Sequence, residues 1–146
     1  MLDKSFIGKS LPSFYATAEA GQLALFAKAT GETRPEYSEE SAARDAGHPG
    51  LPLPPTFLFS LELTYPSAGW REAMGIQGSR ILHGEQSFTY HRMAYAGEKL
   101  LFESRIADIY DKKGGSLSFV VRETRVTNPR GEHVADLRSV LVHRNG

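Results

Sequence analysis

The 146-residue chain contains no cysteine. That absence excludes a disulfide framework, a thiolate nucleophile, and zinc or iron–sulfur centres held by sulfur. Net charge is lacking as well: 17 basic side chains balance 17 acidic ones. Nothing basic in excess offers itself to nucleic acid or to an anionic membrane, and no acidic tail acts as a solvated spacer. Long apolar runs are missing too. The longest reach about five residues, against the roughly 20 needed to span a bilayer, and the first 20 residues lack the basic and apolar regions of a secretory signal. The expectation is a protein of the cytoplasm whose function sits in a local site. What is present, about 40% hydrophobic positions with 14 glycines and 8 prolines, suits one domain spanning residues 1–146.

The first half is rich in loops and the second in strands, with no repeat or low-complexity linker between them, which predicts an α+β domain. Leu23, Phe26, Ala27 and Thr30 recur at helical steps within Ala18–Thr30, with Gly31 placed for a left-handed stop. Ser38 is the expected N-cap of a second helix through Ala46, with Glu39 and Glu40 in its first turn and Gly47 closing it. Four prolines between His48 and Pro55 predict an extended connection. Pro54 and Pro55 then open a helix over Thr56–Tyr65 that is apolar nearly all round, and Pro66 ends it. Ser67–Ser79 reads as an irregular crossing.

Four strands follow: Ile81–Ala94, Lys99–Tyr110, Ser116–Thr127 and Glu132–Arg144. Leu100, Phe102, Ile106 and Tyr110 share one parity. Lys113-Gly114-Gly115 and Asn128-Pro129-Arg130-Gly131 are turn sequences, so the last three strands form an antiparallel meander. Long strands bury one apolar helix by curling around it. The expected architecture is a single hotdog fold, a long central helix wrapped by a curved antiparallel sheet whose leftover edge pairs with a second copy.

Three segments carry a more specific message: Phe26-Ala-Lys-Ala-Thr-Gly-Glu-Thr-Arg-Pro-Glu-Tyr37, Gly50-Leu-Pro-Leu-Pro-Pro-Thr-Phe57, and Leu82-His-Gly-Glu-Gln-Ser-Phe-Thr-Tyr-His-Arg92 leading into Ala96-Gly97-Glu98. In this order they resemble the MaoC-like, or (R)-specific hydratase 2, branch of the hotdog proteins. The closer likeness is to its N-terminal-type members, which form one half of double-hotdog dehydratases or one subunit of dimeric (3R)-hydroxyacyl thioester dehydratases. The resemblance implies reversible hydration of a 2-enoyl thioester carried on CoA or on an acyl carrier protein. A carboxylate and a histidine hold the water that adds at C3 while a proton reaches C2. It implies no cofactor.

In that family the dyad lies on a loop written roughly Gly-Asp-x-Asn-Pro-x-His. Matching Gly31 and Pro35 to it places Glu32 at the aspartate, Arg34 at the asparagine and Tyr37 at the histidine. A phenol, with an ordinary pKa near 10, is a poor base at neutral pH. Either a second hotdog subunit supplies the dyad, or a homodimer works through other residues.

His83 and Glu85 share strand parity, roughly 6–7 Å apart, and could form such a pair; His91 has the same parity, and a structural polar ladder is the plainer alternative. Glu62 in the apolar helix could serve a hotdog thioesterase as base or nucleophile, or it could pair with an arginine across the sheet. The amides of Thr56 and Phe57, at the positive end of their helix, could polarise a thioester carbonyl. His48 is expected in solvent. No histidine pair has a metal-binding spacing such as His-Glu-x-x-His, so no metal is expected. Scattered arginines and lysines could meet pantetheine phosphates, though such residues are mostly solvated; no glycine-rich phosphate loop is present. A non-enzymatic acyl-thioester-binding subunit completes the alternatives.

Overall fold

The computed structural model describes residues 1–65 and 69–146. Pro66 and the start of the expected irregular crossing lie outside them. Five strands form one antiparallel sheet: β1 (Phe14–Thr17), β2 (Ile81–Tyr90), β3 (Lys99–Lys112), β4 (Leu117–Thr127) and β5 (His133–Arg144), in the spatial order β1-β3-β4-β5-β2. The helices are α1 (Ala20–Ala29), α2 (Glu40–Asp45), α3 (Phe57–Thr64) and α4 (Trp70–Ala73). The meander β3-β4-β5 matches the turn chemistry. The Asn128 side chain accepts from the amides of Arg130 and Glu132, both at 3.0 Å, and shapes the β4–β5 turn.

Several expectations are corrected. The sheet has a fifth strand, β1, four residues pairing with β3 at an edge and too short for a periodic signal. The central helix is eight residues rather than ten. Pro54 and Pro55 precede it instead of filling its first turn, and Thr56 caps it with φ of 76°. Ser38 does not cap α2: its amide and that of Glu39 donate to the Pro35 carbonyl, which leaves Glu39 at the N-cap. α1 starts at Ala20 rather than Ala18 and is capped by Thr30, with Gly31 at φ 75° as expected. β2 stops at Tyr90, since the amides of His91 and Arg92 both turn onto the carbonyl of Val134.

The core lies between α3 and one sheet face, where Phe57, Leu58 and Leu61 pack with Leu100, Phe102, Val126 and Leu137. A second cluster joins Leu2, Trp70 and Met74 to Ile106, Ile109 and Val120.

Three β-bulges decide which face each side chain takes. The β3–β4 register slips between Ile106 and Asp108, which sends Ile109 into the core. Tyr110, expected on the parity of Leu100, instead stacks on Phe119 with ring centroids 4.9 Å apart. The β2–β5 register slips at Gly84, and the β4–β5 register slips at Val134.

Candidate active site and its surroundings

The loop after α1 closes on itself. Arg34 donates to Glu32 through its backbone amide at 3.0 Å, its Nε at 3.1 Å and its Nη2 at 2.8 Å. Those bonds, the side-chain ones foremost, hold the Glu32 carboxyl down at about 2. The same guanidinium lies over the buried Tyr37 ring, 4.7 Å from its centroid. A carboxylate fixed this way is a weak proton acceptor at neutral pH, so the three positions that would carry the family's chemistry satisfy one another.

Tyr37 also lines a cleft of about 370 Å³ beside the N-terminus of α3, together with Leu53, Pro55, Leu58, Tyr90 and Met93. The two amides expected there as free donors are engaged. That of Thr56 donates to the Tyr90 hydroxyl at 2.9 Å, and that of Phe57 to the Pro54 carbonyl at 3.1 Å. Burial pushes the Tyr90 phenol up, against the pull of the Thr56 amide. Tyr90 therefore stays protonated at neutral pH, and its oxygen accepts from Thr56 while its own proton remains available to a ligand.

His83 and Glu85 do not converge. His83 pairs with Leu141 and Glu85 with Val140, adjacent residues of β5, so the bulge at Gly84 turns the two side chains to opposite faces. His83 lies 4.9 Å from the Phe59 ring of α3 and lines a separate cleft of about 250 Å³ with Trp70, Arg71 and Arg122. Glu85 meets Arg138 at 3.5 Å on the outer face. Tyr37 and His83 therefore line different clefts.

Glu62 is buried and pairs across the sheet. One carboxylate oxygen accepts from the Thr124 hydroxyl, 2.5 Å away, and the other lies 2.6 Å from Arg122. The Thr124 hydroxyl is 2.7 Å from that of Ser104. Burial lowers the Arg122 guanidinium from its ordinary value; Glu62 opposes that shift and Arg71 adds to it. This network occupies the side chain that a thioesterase would need free.

His48, expected in solvent, is half-buried with its ring 3.3 Å from the Tyr95 hydroxyl. His143 is buried and accepts the Gln77 amide at 3.2 Å. Sequence spacing also hid the convergence of His91, His133 and Asp136, which lie 42 or more positions apart in one case and only three in the other. Their shared position depends on a bulge that no periodicity announces.

A short apolar helix against a five-stranded antiparallel sheet, with a cleft at the helix N-terminus, defines a hotdog protein of the MaoC-like dehydratase type. The chain belongs to the family described as FAS1-like, dehydratase domain region, whose pattern matches residues 5–137. It is 36% identical to a UPF0336 protein of Streptomyces coelicolor over 98% of this chain and 95% of that one. Among solved structures it resembles the HadBC (3R-hydroxyacyl-ACP dehydratase) complex of Mycobacterium tuberculosis, with TM-score 0.80, 25% identity, and coverage of 94% and 96% of the two chains. It shares the fold of the (R)-hydratase PhaJ1 of Pseudomonas aeruginosa, with TM-score 0.71, 18% identity, and coverage of 96% and 83%. Among the described residues no helix is long and apolar enough to cross a membrane.

Proposed function

We propose that this chain is the acyl-thioester-binding, non-catalytic half of a heteromeric enzyme that hydrates 2-enoyl thioesters and dehydrates (3R)-3-hydroxyacyl thioesters. A second MaoC-like hotdog subunit supplies the aspartate and histidine. The observation that carries this reading is the closed loop: Glu32 is spent on Arg34, and Arg34 on Tyr37.

Two further features support it. The cleft beside α3 combines apolar walls, Leu53, Pro55, Leu58 and Met93, with the Tyr90 hydroxyl, which suits an acyl chain whose thioester carbonyl needs one donor as C2 gains or loses a proton. Tyr90 fills the role first expected of the Thr56 and Phe57 amides, with Thr56 polarising it. Arg34, 57% exposed at its side chain, stands at the loop surface where a phosphate of the carrier could approach. The edge strand β2 has no partner strand on its outer side among the described residues. Leu82 and Tyr90 on β2 and Leu63 on α3 are about half exposed, an unpaired apolar edge suited to a second hotdog.

The test is reconstitution. Purified alone, the chain is expected to leave crotonyl-CoA unhydrated and to release no free CoA. Co-purified with a hotdog subunit carrying an intact Gly-Asp-x-Asn-Pro-x-His loop, it is expected to support hydration that survives Glu32→Gln. Hydration by the chain alone that Glu32→Gln abolishes would overturn the reading.

A further inference from the structure

The outer face of the sheet meets the rim of the acyl cleft at the end of β2, where His91 lines both, and there it carries a second constellation that the reading above does not use. On this face charges of opposite sign face one another across neighbouring strands: Arg105 of β3 bonds Glu123 of β4 at 2.8 Å, and Arg125 of β4 stands opposite Asp136 of β5. At the corner where β2 ends beside β5 the pattern changes to histidine.

The cause is local. Thr127 pairs with His133 but Val126 pairs with Ala135, so Val134 is the extra residue of a bulge. Positions 133 and 136 of a regular strand point to opposite faces; one inserted residue brings them to the same one. The Val134 carbonyl then accepts the amides of both His91 and Arg92, at 2.8 and 3.1 Å, which ends β2 and lays His91 beside the bulge. The result is three converging donors. His91 Nε2 is 2.8 Å from one Asp136 oxygen and His133 Nε2 is 2.9 Å from the other. The imidazole centroids are 4.1 Å apart. All three ligand atoms lie within 4.8 Å of one another.

We infer that His91, His133 and Asp136 form a binding site for a divalent transition-metal ion of the zinc type. Two imidazole nitrogens and one carboxylate oxygen are a donor set that suits such an ion. A tetrahedral zinc with bonds of about 2.0–2.1 Å spaces its ligands about 3.3 Å apart, so small rotations of side chains that are 26–48% exposed open the bridged cluster enough to admit it. Each imidazole now gives its Nε2 proton to Asp136; on binding, that proton moves to Nδ1 and Nε2 becomes the ligand. Three protein ligands leave a fourth position for water or another donor. Arg92 sits 3.6 Å from Glu132; Arg125 stands opposite Asp136 across β4 and β5, while the two Asp136 oxygens bond the two histidines. His91 and the bulge residue Val134 also line the acyl cleft, so the site adjoins that cleft at the end of β2; the assignment of the metal rests on the three donors and not on the proposed reaction.

Calorimetric titration of the full chain with Zn²⁺ at pH 7.5 tests the assignment, alongside His91→Ala, His133→Ala and Asp136→Ala. The control is His48→Ala, at a histidine that is not a member of the cluster. Loss of a residue that merely orients a ligand costs roughly 10–100-fold in affinity, so loss of a ligand is expected to cost at least about tenfold. One equivalent should bind to the wild type and to His48→Ala, with each of the other variants weakened. Co²⁺ should give visible absorption of a four- or five-coordinate ion that is lost in His91→Ala and His133→Ala. Thermal unfolding without metal shows which variants are folded, and Zn²⁺ should raise the midpoint of the wild type and of His48→Ala but not of His91→Ala or His133→Ala. Absence of binding by the wild type, or binding by the His91→Ala and His133→Ala variants as tight as that of the wild type, would refute the site.

Discussion

Removing Glu62 should expose how strongly the central helix depends on one ion pair. The Glu62 side chain is 1% exposed and that of Arg122 is 12% exposed, so solvent screens neither charge appreciably. Glu62→Ala leaves Arg122 without its counter-ion and facing Arg71, whose charge already works against it. Thr124 keeps Ser104 as a partner, so the uncompensated guanidinium dominates the loss. Breaking a buried pair from one side costs about 3–5 kcal/mol. For a domain of this size about 1 kcal/mol corresponds to roughly 3 °C, so a midpoint lower by about 9–15 °C is expected. Replacing both partners, as Glu62→Leu with Arg122→Met, should recover most of the loss, since a buried pair is worth little relative to apolar side chains of similar size. Scanning calorimetry of the wild type, Glu62→Leu, Arg122→Met and the double variant measures the coupling directly. A single variant that costs less than about 1 kcal/mol, or a double variant as unstable as the sum of its parts, would refute the account.

Other consequences are simpler to state. Thr56 holds a β-branched side chain at φ 76°, so Thr56→Gly should raise stability by about 1 kcal/mol in urea unfolding. Gly84→Ala should do the opposite: an added Cβ would lie 2.9 Å from both the Val140 carbonyl oxygen and a Val142 methyl, and backbone cannot yield as a flexible side chain does. A loss of about 1–3 kcal/mol is expected, read in the same assay. The Glu32 carboxyl, held at about 2 by Arg34, should climb toward the ordinary 4.5 in Arg34→Ala, followed by NMR titration. Because the folded value is depressed, the stability that this pair contributes is present above pH 4.5 and is lost as pH falls toward 2. Tyr90→Phe removes the acceptor of the Thr56 amide and should cost about 1 kcal/mol, while weakening acyl-CoA binding measured by calorimetry.

Much of the fold was legible because its signals are local. Three- and four-residue spacing marked α1, Gly31 and Gly47 marked helix ends, and Asn128-Pro129-Arg130-Gly131 marked a turn whose Asx bonds the structure contains. The departures have equally local causes. Ser38 was taken by the turn at Pro35 before it could cap α2, and β1 is a four-residue edge whose pairing depends on β3. The larger failures came from bulges, because strand parity holds only while the register does. Gly84 separated His83 from Glu85, and Val134 joined His133 to Asp136. A glycine within a strand was a hint at the first bulge; a valine gave none at the second.

The loop teaches the complementary lesson. Glu32, Arg34 and Tyr37 could be placed on the family's chemical positions by order alone, and the loss of histidine there was readable from residue type. That the three neutralise one another required distances, since a carboxylate two residues from an arginine is as often solvated as paired. The sequence by itself determined the fold class, the family and the absence of thiol chemistry, because composition, turn residues and the order of motifs act over short stretches of chain. Only the tertiary structure decided that Glu62 faces Arg122, that Tyr90 holds the Thr56 amide, and that two histidines meet over one aspartate. Each of those contacts depends on strand register and bulges, which are fixed by packing between segments far apart in the chain.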